Sequence, residues 1–337
     1  MAISVTKDGT EGRLETGIKT SRSDASRSGR LYAYPHYWQV PAATEKAAYE
    51  ALKATEVSFE FDYLAFAWAT VIDGVRSRSF KAWEILDALA ETAVQLQREP
   101  FRRRVTVAQH IHALQFPEIF TALGITDLFW PHATTDTLRH RGMRIHPFPL
   151  FPAQAPTAEQ RVPAGQPRKY LANFIGAYNP RIYLSNVRQV IFNDAGKGDD
   201  LQIVERKAWH FDRAVYEEQV RGVMPAQEQR ADEARKTEEY LDAIRESWFT
   251  LCPTGSGPNS IRIFESLALG SIPIILTAKL RLPGPPDLWR QAAIIEEDSE
   301  KGYRRSVERA RALSQAERER MRKCGEELFE KVGPDGY

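Results

Sequence analysis

The stretch "CPTGSGPNSIRIFESLALGSIPIIL", Cys252 to Leu276, decides the fold. Turn-forming residues run from Pro253 to Ser260. One amphipathic helix follows and stops at Gly270, and "SIPIIL" then reads as a buried strand. A glycine-rich loop that opens a helix is where proteins hold phosphates. Gly255 and Gly257 let backbone approach a ligand, Pro258 suits a helix start, and Ser260 is a good cap. Two common versions of such a loop do not fit. A P-loop needs a Gly-Lys-Ser/Thr end, and after Gly255 the chain reads Ser-Gly-Pro-Asn-Ser. The dinucleotide pattern Gly-x-Gly-x-x-Gly has Gly255 and Gly257 but Ser260 in its third place. Within the helix, Arg262 and Glu265 share one face among Ile261, Ile263, Phe264 and Leu267. They are either a surface ion pair, or an arginine for phosphate beside a carboxylate for ribose hydroxyls.

Strands and helices alternate on both sides of this stretch. Upstream, "KYLANFIGAY" reads as a strand and "PRIYLSNVRQVIFNDAG" as a helix closed by Gly196. "LQIVERKAWH" is a strand and "EQRADEARKTEEYLDAIRESW" a charged, solvated helix. Before them, a strand is expected at Phe59 to Ala67. A helix follows with Trp83, Leu86, Ala90 and Val94 on its inner side, and a strand "RRVTVAQ" stops at Gln109 or His110. A helix ending at Gly124 then leads to a strand closing at Trp130. This alternation implies parallel sheets with helices on their faces. Six prolines between Pro147 and Pro167 rule out a regular element there and mark a linker. The expected layout is a polar tail at 1–29, an N-terminal Rossmann-like domain at 30–150 and the linker at 151–168. A second α/β domain follows at 169–310, and C-terminal helices at 311–337.

The 337 residues suit two domains, and 42% apolar residues suffice for their cores. With 46 basic against 45 acidic side chains, net charge +1, nothing points to nucleic acid as a partner. Two cysteines, Cys252 and Cys324, fit a reducing compartment. No apolar run reaches the roughly 18 to 20 residues of a membrane span, and the N-terminus lacks an apolar signal region. The expectation is a cytoplasmic protein, with peripheral contact at the inner face of a membrane kept open.

The segment "FTLCPTGSGPNSIRIFESLALGSIPIILTAKLRLPGPPDLW" resembles the C-terminal signature of exostosin-like glycosyltransferases. The matching residues are Arg262, Glu265, Gly270, Ile272, Pro273, Leu282, Pro283 and Trp289. "KYLANFIGAYNPRIYLSNVRQVI" is similar to the family's Phe-x-Gly segment and following arginine, here Phe174, Gly176 and Arg188. "ITDLFWPHATTD" resembles its N-domain strand and loop. The resemblance implies a GT-B fold, two Rossmann-like α/β/α domains facing across a cleft, and an inverting transferase using a nucleotide-diphosphate sugar. It also implies that 30–150 is the acceptor domain and 169–310 the nucleotide-sugar-binding domain. It implies Arg262 and Arg188 on the diphosphate and Glu265 on the ribose, beside a loop of Gly255, Ser256, Gly257, Asn259 and Ser260. A glycan or lipid-linked acceptor in surface polysaccharide synthesis is the implied partner. The animal and plant members are mostly membrane-anchored, so the acceptor does not carry over.

An inverting transfer needs a general base and a means of stabilising the leaving diphosphate. The chain contains no Asp-x-Asp, so the arginines and the helix start are expected to do the second task with no metal and no cofactor. Candidates for the base follow predicted N-domain strands: Asp73 first, then His110 and His132. Each has a plainer reading, Asp73 as a helix cap or turn residue and the histidines as packed or substrate-contacting side chains. The His110-x-His112 pair is expected to reflect strand alternation. In "KAWHFDR", Trp209 or His210 could stack on the nucleobase, or simply pack. A non-catalytic glycan- or nucleotide-binding module, and an NAD-dependent oxidoreductase disfavoured by the incomplete glycine pattern, are the competing functions.

Overall fold

The computed structural model describes residues 29–40, 42–55, 59–153, 158–207, 226–334 and 336. The first half forms β1 (Leu31–Ala33), α1 (Thr44–Ala54), β2 (Asp62–Ala65), α2 (Trp68–Ser77), α3 (Phe80–Gln97) and β3 (Arg104–Val107). It continues through α4 (Pro117–Ala122), β4 (Asp127–Trp130), β5 (Arg139–His140) and β6 (Met143–Pro147). Its sheet has the order β1-β2-β3-β4-β6-β5, parallel except for the β5–β6 hairpin at the edge. Strand alternation assigns Leu64 and Ala108 to a face covered by α2, α3 and α4. It assigns Tyr63, Val105 and Val107 to a face covered by Ala48 and Tyr49 of α1 and by Phe148 and Phe151.

The second half forms β7 (Tyr170–Gly176), α5 (Val187–Phe192), β8 (Leu201–Glu205), α6 (Gln227–Arg245), β9 (Ser247–Pro253), α7 (Arg262–Leu269) and β10 (Ile272–Leu276). It ends with α8 (Pro286–Ala292), β11 (Ile294–Glu296), α9 (Glu300–Ala312) and α10 (Gln315–Val332). Its sheet is wholly parallel in the order β11-β10-β9-β7-β8. Every residue of β9 and β10 is buried, as expected of strands covered on both faces. The strand order changes direction between β7 and β9, with β8 on one side and β10 and β11 on the other. The crevice at the carboxyl ends of those two strands is where such sheets receive ligands. The two halves are separate α/β layers joined by one linker, the GT-B arrangement.

Several sequence expectations shift. The strand expected from Phe59 begins only at Asp62, and Phe59 stacks on Phe61 before it. In α3 the buried residues include Ala82, Ile85, Ala88 and Leu89, whereas Trp83 and Val94 are exposed. That helix carries apolar residues on two stripes, and periodicity cannot say which one meets the sheet. Arg104 donates to the carbonyls of Leu123 and Leu96, which ties the sheet's base to α4 and α3. Gly124 and Gly196 take positive φ where the helix stops were read. The linker is anchored at both ends. The Phe151 amide donates to Thr44 Oγ1 on the N-terminal side, and Arg161 Nε and the Val162 amide donate to the carbonyls of Ala268 and Leu269 on the other. The C-terminal helices start at Glu300, earlier than read, and α10 packs on α7 and α8.

Candidate active site

At the reversal point, the loop after β7, the start of α5 and the loop from β9 to α7 converge. Arg188, from α5, is buried; its Nε donates to Thr254 O at 2.8 Å and its Nη1 to Ala177 O at 3.0 Å. Arg262 opens α7, and its Nη2 donates to Ile175 O at 2.8 Å while its buried Nε has no hydrogen-bond partner. Both guanidiniums lie over aromatic rings, Arg188 on Tyr183 at 4.3 Å and Arg262 on Phe174 at 5.1 Å. Between them is Gly176. A Cβ there would stand 2.9 Å from Arg262 Nη2 and 3.5 Å from Arg188 Nη1. Neither arginine forms an ion pair among the described residues, and every hydrogen bond they make goes to a backbone carbonyl. Burial first, and then the nearby Arg262 charge, bring Arg188 down to about 9. Two like charges held close together are unfavourable unless negative charge compensates them, and among the described residues the charge acting on Arg188 in that sense includes Asp298.

Glu265, one turn along α7, is also buried, and it accepts the Tyr240 hydroxyl at 2.5 Å. Arg262 and Glu265 are therefore not a surface ion pair. Tyr240, on the helix read as solvated, is buried, and burial beside that carboxylate pushes its phenol well above the usual range. Ser260 is not a side-chain cap: Ile261 occupies the cap position, and the buried Ser260 Oγ has no partner while its carbonyl receives the Ile263 amide. Ser256 is exposed on the loop, and Gly255 N donates to Gly257 O at 3.0 Å. Asn259 Nδ2 donates to Pro131 O at 2.8 Å, a bond to the other domain. Thr254 Oγ1 donates to Asp298 Oδ2 at 2.5 Å, and Asp298 Oδ1 is buried without a partner. Trp209 and His210 lie outside the described residues.

Across the cleft, the domains are joined along 131–136 and 277–281. Thr135 N donates to Lys279 O and Arg281 N to Ala133 O, both at 2.9 Å, and Thr134 pairs with Leu280. His132 is buried against the glycine loop; a Cβ on Gly257 would stand 2.8 Å from its Nδ1, which has no hydrogen-bond partner. Burial, reinforced by His110, brings His132 down to about 3, so its ring is neutral. His110 Nε2 lies 3.0 Å from Asp73 Oδ1, and the His112 amide donates to His110 Nδ1 at 3.1 Å. Because Nδ1 accepts, the proton rides on Nε2 and is donated to Asp73. Gln39 Nε2 donates to the other oxygen of Asp73 at 2.8 Å. Asp73 is an α2 residue, not a turn residue, and His110 and His112 follow the end of β3 in a turn, not a strand. The structure thus brings the three expected acid–base residues to one edge of the N-terminal sheet.

Sequence reading did not find Tyr240, Asp298 or Gln39, since none has a local pattern that marks it. Among the described residues, no group of three or more His, Cys, Asp or Glu could hold a metal ion. A cavity of about 570 Å³ lined by Arg161, Val162, Gln166, Lys169 and Arg245 lies under the linker, beside the amino ends of β7 and β9 and so away from the arginines.

The sequence model of the Exostosin GT47 domain matches residues 112–301, more than half of the chain. The chain belongs to the exostosin GT47 family, a family of glycosyltransferases. That match includes His132, Arg188, the glycine loop and Arg262 and stops just short of α9's second turn. Over 108 residues this exostosin-family chain is 32% identical to human ribitol-5-phosphate xylosyltransferase 1, covering 32% of the chain and 20% of that protein. Over 46 residues it is 48% identical to the Arabidopsis thaliana protein named "Probable glucuronoxylan glucuronosyltransferase IRX7", covering 14% of the chain and 10% of the relative. The matches therefore span a fifth or less of each relative. Among solved structures, E. coli trehalose-6-phosphate bound with UDP-2-fluoro glucose superposes with a TM-score of 0.38 at 12% identity, covering 75% of this chain and 76% of the other. Sucrose-phosphate synthase from Thermosynechococcus elongatus superposes with a TM-score of 0.37 at 12% identity, covering 89% and 76%.

Proposed function

We propose that this exostosin-family chain is an inverting glycosyltransferase that moves a sugar from a nucleotide-diphosphate donor to a glycan or lipid-linked acceptor. The observation that carries this reading is the pair of buried Arg188 and half-buried Arg262, over Gly176, with no ion pair to either among the described residues. A diphosphate supplies the missing negative charge; the start of α7 adds little to this, since the Ile263, Phe264 and Glu265 amides already donate to the Ser260 and Ile261 carbonyls. Glu265, held by Tyr240, is set to receive ribose hydroxyls. In the transfer, the acceptor hydroxyl gives its proton to a base as its oxygen bonds the anomeric carbon. The bond from that carbon to the phosphate oxygen breaks, and the electron pair leaves with the diphosphate, where the arginines stabilise it.

Asp73 is the preferred base because a carboxylate can take a proton without tuning by a partner, and it lies at the cleft edge of the N-terminal sheet against His110. His132 is the second choice, favoured by its neutral ring and its unpartnered Nδ1 beside the glycine loop. Work at the inner face of a membrane, in surface polysaccharide synthesis, fits a donor made in the cytoplasm. The test is a panel of nucleotide sugars scored by melting temperature, with transfer assayed for each donor that binds. The right donor raises the melting temperature by mass action. A shift without turnover over a broad acceptor panel would favour a non-catalytic binding module, and no shift with any donor would remove the reading. Because arginines hold the diphosphate in this scheme, turnover should survive EDTA. Loss on chelation with recovery in Mn²⁺ would show that a metal does that work.

A further inference from the structure

We infer that an exposed aromatic surface at the far end of the N-terminal sheet is a platform for an extended acceptor glycan. This inference rests on the transferase reading for its purpose, but its test is a direct binding measurement. The sheet order β1-β2-β3-β4 lays out the carboxyl-edge residues in a row. His132 follows β4 beside the glycine loop, His110 follows β3, and Asp73 lies on the helix after β2. The next position along the row, after β1, is Tyr34 to Tyr37. At the usual spacing it is three strands from β4, on the order of 14 Å, a reach that suits a chain of sugars more than a single one.

At that end Tyr34 packs edge-on to His36 with ring centroids 4.7 Å apart, and Tyr37 edge-on to Phe80 at 6.3 Å. Phe80 and Trp83 share a face of α3 and are 63% and 56% exposed, although the same helix buries Ile85 and Leu89 on its other side. The surface is not merely apolar. The Tyr37 hydroxyl donates to Glu84 Oε2 at 2.6 Å, and the Tyr34 hydroxyl lies 3.4 Å from the same oxygen. Aromatic faces beside hydroxyls and a carboxylate match the two sides of a sugar ring, its C–H face and its hydroxyl rim. Tyr37 has φ 61, a conformation that costs a non-glycine residue, and its carbonyl is held by Thr70 Oγ1 at 2.6 Å. Two residues on, Gln39 donates to Asp73, so the platform and the preferred base are directly connected. An anionic membrane is a poorer occupant: Glu84, Asp87 and Glu91 sit on the exposed side of α3 and would be repelled by it.

The test compares the full chain with F80A/W83A and with Trp83→Tyr. Binding is measured by calorimetry against a set of neutral and uronic-acid oligosaccharides, and to vesicles of neutral and anionic lipid. Donor-induced melting shifts are recorded for all three proteins. The expected result is oligosaccharide binding by the parent, weakened about tenfold or more in F80A/W83A and largely restored in Trp83→Tyr, with the donor shift unchanged. Both side chains are exposed, so the fold should tolerate their loss. Equal oligosaccharide affinity in parent and double variant overturns the inference. So does a parent that binds vesicles and no oligosaccharide, or that binds neither. A parent that binds oligosaccharide through Trp83 and yet responds to no nucleotide sugar keeps the platform and removes the transferase reading.

Discussion

Two clusters of charge lie at opposite edges of the two sheets, and they are built in opposite ways. Asp127, at the start of β4, is fully buried and surrounded. Arg103 Nε, Arg144 Nη2 and His146 Nε2 reach it at 2.9, 2.8 and 2.6 Å, and Thr126 donates as well. Burial alone would raise its pKa, but these partners overcome that and hold it well below the carboxylate range. Arg188 is buried and Arg262 half-buried, but among the described residues they bond only to carbonyls and form no ion pair. A complete cluster contributes to the fold and needs nothing from outside. An incomplete one depends on its surroundings to hold it, and an anion placed beside it would be stabilising.

The sharpest way to break that comparison is Arg262→Ala. If the pair is a diphosphate site, transfer falls about 30- to 1000-fold, the cost of one charge-assisted contact to a leaving group. The donor-induced melting shift is lost and the circular dichroism spectrum is unchanged. Normal turnover in a folded variant would make the pair as structural as Asp127.

Asp73→Asn is nearly isosteric, and its amide oxygen can still accept from one of the two donors, His110 or Gln39. It should retain donor binding and lower the transfer rate by about 100-fold, the low end of general-base assistance. A normal rate moves the role to His132.

The complete cluster is tested by stability rather than by rate. Asp127→Asn should leave kcat intact and lower unfolding free energy by about 1 to 3 kcal/mol, since hydrogen bonds to a charged group are lost but the remaining cations are half-exposed. The sign with pH is fixed by the depressed value: Asp127 adds stability above its ordinary 3.8, and that stability disappears as pH falls below it. His132 gives an earlier loss. Its value falls from 6.5 to about 3 on folding, so the unfolded chain binds more protons between these limits and stability declines as pH drops from 6.5. Denaturant titrations of the parent and of His132→Asn from pH 7 to 4 should differ in slope. Parallel curves would mean that His132 is not buried neutral.

The smallest effect is expected at the pivot of the incomplete pair. Gly176→Ala puts a methyl 2.9 Å from the far end of the Arg262 side chain, which can swing aside at little cost to the fold. Donor affinity should fall about tenfold, roughly 1.4 kcal/mol, while the melting temperature without donor stays within a degree or two. Unchanged affinity would mean that the two guanidiniums need not converge above that glycine.

Much of the architecture was legible in local sequence. Alternating elements, the stops at Gly124, Gly196 and Gly270, and the loop-helix-strand of 252–276 are local features, set by turn residues and periodicity within one segment. Arg262 could be singled out for the same reason, as a charge at the start of an otherwise apolar helix. The inner face of α3 could not, because Phe80, Trp83 and Val94 compete with Ile85, Leu89 and Leu96 for it, and only the sheet's position decides.

By itself, then, the sequence determined the parallel α/β layers and the loop-helix-strand order of 252–276. Tertiary structure alone decided that Arg188 and Arg262 meet over Gly176, that Tyr240 holds Glu265, and that Asp73 lies on a helix against His110. The reason is range. Periodicity and turn chemistry act over a few residues, whereas these contacts join positions 25 to 74 residues apart and form only when strand order brings loop ends together. Asp73 and His110, separated by 37 residues, meet because β2 and β3 are neighbours. Arg188 and Arg262 meet because β7 and β9 are.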